Sequence, residues 1–154
     1  MMSWSLAIIN GDISYGSQGL NTVTGSNKLV QDLSCCILEP LGTDYNDPDF
    51  GSIIEGGVDS EGNVYPGLIG GPNNSASASQ ITTEISRICQ NYQAEQVARN
   101  QNDLNTYGTS TLSAGEALLG VSNIQVQQAG AYAYVTAVLA TGSGSTQIAT
   151  GLGN

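Results

Sequence analysis

The sequence predicts an α+β fold: a single small domain with an N-terminal hairpin, two helices and a C-terminal antiparallel three-stranded sheet. Three observations support this class. Short β-type patterns occupy the first 24 residues, two stretches with helical spacing of apolar residues follow, and period-two alternation dominates after residue 120. Segregated runs of strands and helices are typical of α+β domains. A chain of 154 residues is long enough to bury one core, so we expect one domain over 1–154.

The N-terminal hairpin is predicted around Asn10 and Gly11, because Asn-Gly is the strongest short signal for a two-residue turn. The apolar residues around this turn are Leu6, Ile8, Ile9, Ile13 and Tyr15. Residues 20–24 predict one more short strand.

The first helix is predicted over 27–39. Its apolar residues share one helical face: Leu29, Val30, Leu33, Cys36 and Ile37. Ser26 is the expected N-cap, since its hydroxyl can accept a hydrogen bond from a first-turn amide. Pro40 is expected to end the helix, because proline is poorly compatible with a helix interior.

The loop that follows reads LEPLGTDYNDPDFGS from Leu38 to Ser52. We call it the signature loop. Gly42 permits a bend, Pro48 favours an extended approach, and Gly51 follows the only phenylalanine, Phe50. The pattern indicates a loop with a tightly specified path in which Phe50 is a buried anchor and Asp47 and Asp49 face outward.

A second, longer helix is predicted over 80–104 with Ser79 as its cap, after a hairpin turn at 61–63 and a polar linker at 72–79. Its apolar stripe comprises Ile81, Ile85, Ile88 and Tyr92, and its charge pairs are Glu84 with Arg87 and Glu95 with Arg99. The second half is almost wholly polar, so we expect it to project from the core or to pack on a partner.

The C-terminal third predicts a helical turn at 115–119 followed by strands. Ile124, Val126 and Gln128 alternate with their neighbours, and 131–139 alternates in the same way. The Tyr132 and Tyr134 stripe is interpreted as one packed face of a sheet. A turn at 142–145 precedes a last strand over 146–152.

Composition restricts the function. Three basic and thirteen acidic residues give a net charge of −10, which disfavours binding to nucleic acid or to an anionic membrane. Only 10% of residues are charged, which suits a protein whose surface is covered by neighbours. The odd count of Cys35, Cys36 and Cys89 predicts buried thiols in a reducing cytosol rather than a disulfide framework. The short apolar run at 4–9 predicts neither a signal peptide nor a membrane span.

Catalytic chemistry has little support in the sequence. The chain has no histidine, which excludes Ser-His and Cys-His mechanisms. Six acidic residues between Asp44 and Glu61 raise calcium binding as an alternative, but their spacing does not match an EF-hand, and no metal or other cofactor is expected. Glu39 with Asp44 or Glu116 would be the acid pair of a glycosidase, although nothing in the sequence indicates a raised carboxyl pKa.

The signature loop resembles the tail sheath initiator family of contractile-tailed phages, a small baseplate wedge protein also found as the lysozyme-like protein of type VI secretion baseplates. The resemblance is carried by the run Pro48, Asp49, Phe50, Gly51 and Ser52 at the right distance from Pro40 and Gly42. The order ββ, α, loop, α, βββ is also similar over nearly the whole chain. The segment 56–71 looks like an insertion relative to the family.

The resemblance implies a structural protein of the virion baseplate that is assembled in the host cytoplasm, with six copies in a ring. The implied partners are the tail sheath protein, baseplate wedge proteins and tail tube initiator proteins. The expected interaction residues outside the last strand are Asp47, Pro48, Asp49, Phe50, Gly51 and Glu116. The family also has a Glu-Pro-Arg motif before the C-terminal strands; Glu116 can take the place of its Glu, while Pro and Arg are absent here.

Sheath proteins of such systems connect by donated β-strands, so an initiator is expected to offer an unpaired sheet edge. The segment predicted to offer it consists of Thr146, Gln147, Ile148, Ala149 and Thr150, which carry no charge and no proline. The alternative is that this tail only completes the sheet or frays. Two rival functions are a baseplate-associated lysozyme-like hydrolase, which peptidoglycan zymography would reveal, and a non-virion adaptor, which would not co-purify with tails.

Overall fold

The computed structural model describes residues 3–69, 75–129 and 132–153. It has the predicted α+β character, with two helices and several small sheets. The chain begins with six two-residue strands: β1 (Ser5–Leu6), β2 (Ile8–Ile9), β3 (Asp12–Ile13), β4 (Tyr15–Gly16), β5 (Gly19–Leu20) and β6 (Thr22–Val23). They pair antiparallel as β1 with β6, β2 with β3, and β4 with β5. The predicted turn at Asn10 and Gly11 is confirmed, since both residues have positive φ, but there are three paired arms rather than one hairpin.

Helix α1 spans Gly25–Leu38, and Glu39 is its C-cap, so the predicted stop before Pro40 is confirmed. The predicted cap was wrong. The N-cap is Thr24, in extended conformation and without a side-chain capping bond among the described residues, while Ser26 already lies inside the helix. The predicted face is confirmed: Leu29, Leu33, Cys36 and Ile37 are buried and Val30 is partly buried.

A small three-stranded sheet follows the first helix. It consists of β7 (Pro40–Leu41), β8 (Ser52–Val58) and β9 (Val64–Tyr65), with β7 parallel and β9 antiparallel to β8. The predicted hairpin turn between β8 and β9 is confirmed by the pairing of Val58 with Val64. Asp59 organises that turn, because its carboxylate accepts hydrogen bonds from the amides of Glu61 and Asn63. Its pKa is lowered mainly by the Asn63 side chain.

Helix α2 spans Ser75–Tyr107, so it is longer at both ends than predicted. Ser79 was the wrong cap, because the helix begins four residues earlier. Most of the predicted linker at 72–79 is therefore helical, while its first three residues lie outside the described part of the chain. The apolar stripe and both charge pairs are confirmed. Among the described helices, none has an apolar stretch long enough to span a bilayer.

The C-terminal sheet is antiparallel in the order β10–β11–β12, with β10 Leu118–Ala129, β11 Tyr132–Thr141 and β12 Gly144–Leu152. The residues before β10 form a hydrogen-bonded turn rather than the predicted helical turn, and Leu118 already belongs to the strand. A bulge in β10 places Asn123, which has a φ of 49°, where the register shifts by one residue.

The core lies between the two helices and the inner face of this sheet. In β11 the inner face consists of Ala133, Val135, Ala137 and Leu139, all buried. Tyr132 and Tyr134 are 58% and 48% exposed on the other face, so the prediction that they form the packed face was wrong. The predicted alternation along β11 is confirmed, but the side chains that pack against the helices are the aliphatic ones rather than the tyrosines, because the helices lie close against this sheet.

Candidate functional site

Two glycines set the path of the signature loop. Gly42 has a φ of 77°, and a Cβ there would lie 1.9 Å from the carbonyl oxygen of Val58. Gly51 has a φ of 97°, and a Cβ there would lie 2.8 Å from the carbonyl oxygens of both Glu39 and Pro40. Any other residue would therefore combine backbone strain with a clash against backbone. The loop closes tightly against the end of α1 and against β8, as its composition predicted.

An ion pair on α2, between the buried Glu84 and the partly exposed Arg87, binds the end of the loop. Glu84 is 4% exposed, and its Oε1 accepts a hydrogen bond from the amide of Ile53 at 2.9 Å. Arg87 donates to Glu84 from Nε at 2.8 Å and from Nη2 at 2.6 Å, and Nη2 also donates to the carbonyl of Gly51 at 3.1 Å. Helix α2 therefore fixes the end of the signature loop through charge-assisted hydrogen bonds, which are stronger than neutral ones.

The predicted interaction residues of this loop differ in exposure. Pro48 and Asp49 are exposed, and Asp47 is half-buried. Phe50 is also only half-buried, packed against the edge of the core, so the prediction of a fully buried anchor was wrong. Its other side contributes to a cavity of about 320 Å³ between the two helices and the loop.

Glu116 is a buried carboxylate, 1% exposed. It accepts hydrogen bonds from the amide and hydroxyl of Ser113 at 3.1 and 2.7 Å and from the hydroxyl of Ser3. The Nζ of Lys28 lies 3.7 Å from its Oε1. The cation that the sequence lacks next to Glu116 is thus supplied by α1, 88 residues earlier in the chain, a partner that sequence reasoning missed.

Lys28 also contacts Asp32 at 2.6 Å, and the hydroxyl of Tyr92 donates to the same carboxylate at 2.8 Å. Burial, and then the Asp32 charge, raise the pKa of Tyr92 above its ordinary value. One polar network therefore links both helices to the turn that precedes the C-terminal sheet. The sequence feature that could have indicated this network is Lys28 itself, because it is the only lysine and one of only three basic residues in an acidic chain.

Gln96 is a second link that sequence reasoning missed. Its side-chain amide donates to the carbonyl of Glu116 at 2.8 Å and accepts from the amide of Leu118 at 2.9 Å. Gln93 on the next face of α2 donates to the carbonyl of Leu119 at 3.4 Å. The β10 edge of the C-terminal sheet is therefore contacted by the polar half of α2, which is partly anchored rather than wholly projecting.

The β12 edge is different. The residues on either side of the two-residue turn, Thr141 and Gly144, form a hydrogen-bonded pair. Hydrogen-bonded and non-hydrogen-bonded pairs then alternate along the two strands, so the backbone N–H and C=O groups of Gln147 and Ala149 point away from β11. Within the described residues, no backbone group pairs with them on that side. Edges of sheets are normally protected by charge, proline or covering elements, yet the chain has no charged residue after Glu116.

The five predicted edge residues divide between two faces. Ile148 is 1% exposed and Thr150 8% exposed, so both belong to the core face. Gln147 and Ala149 are exposed and Thr146 is half-buried. The register also places the amide of Ile148 in the ladder with Ala137, so a proline at 148 would disrupt the fold.

A groove of about 900 Å³ adjoins this edge. Ala149 and Thr150 form one side, and α1 forms the other with Val30, Cys35 and Leu38. Ile8 of the second strand closes one end, and Glu39 is the only charged residue of the lining. An unpaired strand beside a mainly apolar groove is the arrangement that accepts an extended segment, with backbone pairing for affinity and alternate side chains for specificity.

The three cysteines are free thiols, with Cys36 and Cys89 buried and Cys35 half-buried. Burial raises the pKa of Cys36 to about 12 and that of Cys89 to about 11, so both are thiols at neutral pH. No cluster of three cysteine or acidic side chains in the described residues has the geometry to hold a metal ion. Glu39 accepts a hydrogen bond from Thr43, and Asp44 accepts one from the amide of Asn46.

The chain matches no protein-family model, no curated protein and no solved structure. The grounds for a functional proposal are therefore the geometry of the signature loop and of the β12 edge, together with the sequence resemblance of that loop.

Proposed function

We propose that this chain is a structural protein of a contractile-tail baseplate, in which the free edge of β12 accepts a strand donated by the tail sheath protein. The single observation that carries the proposal is the uncharged edge at Gln147 and Ala149, which is unpaired in the part of the chain that the structure describes and lies beside a mainly apolar groove. A strand added there would continue the C-terminal sheet by backbone pairing, and alternate side chains would enter the groove.

The resemblance of the signature loop supplies the biological setting. In this proposal the chain acts as a single sheath-initiator-like domain present in six copies around the tail tube. Its other partners are wedge proteins and tube-initiating proteins, for which the exposed Pro48 and Asp49 are the candidate contacts. The Lys28–Glu116 pair serves as the counterpart of the Glu-Pro-Arg contact and holds the acceptor sheet on the helices.

Ala149→Pro tests the proposal. The amide of Ala149 faces away from β11, so proline removes a donor that only an added strand would use. We expect a melting temperature close to that of the unchanged protein and loss of sheath polymerisation on baseplates that carry the variant. Ala149→Thr is the matched control, because it keeps the amide at an exposed strand position.

Sheath assembly at the normal rate on baseplates carrying folded Ala149→Pro protein would refute strand acceptance at β12. Absence of the protein from purified tails would refute the baseplate assignment. A count of about six copies per tail supports it.

A further inference from the structure

Residues 3–25 form three short arms that meet at a ring of backbone hydrogen bonds. The amide of Ala7 donates to the carbonyl of Asn21 at 2.9 Å, that of Ser14 to Ala7 at 2.8 Å, and that of Asn21 to Ser14 at 3.0 Å. These three residues are seven apart in sequence. One arm lies between Ala7 and Ser14 and a second between Ser14 and Asn21, and the third pairs the strand before Ala7 with the strand after Asn21. The arms therefore have an approximate threefold arrangement.

The pairing of the strands sorts the side chains of the arms into two faces. The residues immediately before and after Ala7, Ser14 and Asn21 point to the same side of the backbone, because side chains alternate along an extended chain. Residues paired across two strands also share a side. The face defined in this way, which we call the arm face, consists of the pairs Leu6 with Thr22, Ile8 with Ile13, and Tyr15 with Leu20. Five of its six residues are apolar and none carries a formal charge at neutral pH.

Within residues 3–69, 75–129 and 132–153, the rest of the chain does not bury the arm face. Ile8, Ile13, Tyr15 and Leu20 are 43%, 48%, 75% and 49% exposed. Contiguous apolar surface of this kind typically marks an interaction site.

Hydrogen bonds hold the arms in place, because Ala7 is the only residue of 3–25 that is buried. Besides the ring, the side-chain amide of Gln31 on α1 accepts from the amide of Ile8 at 2.8 Å and donates to the carbonyl of Leu6 at 2.8 Å. The arms are thus positioned on the first helix while their apolar residues remain available. This arrangement suits a preformed docking platform, because a positioned surface loses less conformational freedom on binding.

Charge distinguishes between the candidate occupants. The chain has a net charge of −10, and each of its three cations lies within 3 Å of a carboxylate: Lys28 with Asp32, Arg87 with Glu84, and Arg99 with Glu95. A second copy and an anionic membrane would both be repelled by this field. A protein surface with an apolar centre and a basic rim is attracted to it.

We propose that the arm face is the docking site for an apolar, basic-rimmed surface on a neighbouring protein. This proposal rests on the proposed function in one respect only: the neighbouring protein is sought in the tail particle. It differs from strand acceptance at β12, because binding here requires side-chain contact and no unpaired edge, although Ile8 lines the β12 groove as well as the arm face.

Site-specific photo-crosslinking in cells that assemble the particle tests the arm face directly. The photoreactive residue is p-benzoylphenylalanine, placed at Tyr15 on the arm face or at Ile9, which is 59% exposed on the opposite face of the neighbouring arm. We expect Tyr15→p-benzoylphenylalanine to crosslink to one other protein at least tenfold more than Ile9→p-benzoylphenylalanine does. The crosslinked segment should be apolar with Lys or Arg nearby.

Binding of the purified partner completes the test. Ile13→Gln and Leu20→Gln should each weaken binding at least tenfold, Ile9→Gln should leave it within twofold, and affinity should fall as salt is raised. Equal crosslinking from both faces, none from Tyr15, or crosslinking only to a second copy would overturn the proposal. So would a purified protein that dimerises through this face or binds phosphatidylcholine–phosphatidylglycerol vesicles through it.

The two proposals fail in different ways. If the crosslinked partner is not a tail protein, the baseplate assignment fails and the arm face stands. If the protein is present in tails but its crosslinks show no preference for one face, the arm face fails and the baseplate assignment stands.

Discussion

The Nζ of Lys28 on α1 lies 3.7 Å from the buried carboxylate of Glu116, which precedes the C-terminal sheet. The same Nζ contacts Asp32, so one lysine pairs with a carboxylate on its own helix and with another 88 residues later in the chain. Lys28 is the only lysine of the chain, and acidic residues outnumber basic ones by thirteen to three, so no other lysine can take its place.

Lys28→Met should lower the free energy of unfolding by about 3 kcal/mol, because it leaves the buried Glu116 carboxylate without its cation. Lys28→Met combined with Glu116→Gln should recover part of that loss. Urea denaturation measures both. Arg99→Met is the control, since the Arg99–Glu95 pair is exposed and should contribute at most about 1 kcal/mol. Equal losses for Lys28→Met and Arg99→Met would contradict the role given to Lys28.

Gly42→Ala should destabilise the fold more than Gly62→Ala. Both glycines have positive φ, 77° and 87°, but a Cβ at Gly42 would clash with the carbonyl of Val58 whereas Gly62 faces open space. Backbone strain alone costs about 1–2 kcal/mol, and the clash adds to it. Thermal melts of the two variants make the comparison. Similar melting temperatures would mean that the signature loop relaxes freely.

Phe50→Ala should cost about 2 kcal/mol, less than the loss for a fully buried phenylalanine, because the Phe50 ring is only half-buried. Tyr45→Ala is a matched control in the same loop, since Tyr45 is 95% exposed. Chemical denaturation should show no measurable loss for the control. An unchanged free energy of unfolding for Phe50→Ala would remove this side chain from the edge of the core.

Stability should fall as pH rises above 9. The thiol of Cys36 has its pKa raised by burial from 9.0 to about 12, so above pH 9 the unfolded chain loses this proton while the folded chain keeps it. Unfolding is then favoured by up to about 1.4 kcal/mol per pH unit for this group until the folded pKa is reached. Below pH 9 this thiol contributes no pH dependence.

Cys36→Ala should therefore have a shallower decline of stability between pH 9 and 11 than the unchanged protein, whatever its stability at neutral pH. Urea denaturation at each pH measures the slopes. Cys89→Ala should also reduce the slope, since burial raises the pKa of Cys89 to about 11. Parallel declines for all three proteins would show that the thiols ionise equally in the folded and unfolded states.

Much of the fold could be predicted because its causes are local. Helical spacing marked the buried residues of α1 and the stripe on α2, and the Asn10–Gly11 pair marked its turn through positive φ. Alternation located the C-terminal strands. Prolines and glycines identified the signature loop as tightly constrained, since their effect on φ does not depend on distant residues.

Sequence reasoning placed Ser26 and Ser79 as helix caps and was wrong, because capping depends on where packing starts each helix, and α2 begins well before its apolar stripe. It also assigned the tyrosines of β11 to the packed face. Local preference could not decide which side of that alternating strand the helices would cover.

By itself, the sequence determined the class of fold, the strongly acidic and charge-poor surface, and the path of the loop between the helices. Only the tertiary structure decided which groups meet across long separations: Lys28 with Glu116, Arg87 with Gly51, and Ala7, Ser14 and Asn21 in one ring. It also decided that β12 is an edge strand without a paired neighbour among the described residues, whereas α2 packs along β10. The physical reason is that periodicity and backbone preference act within a few residues, whereas these contacts arise from how the elements pack.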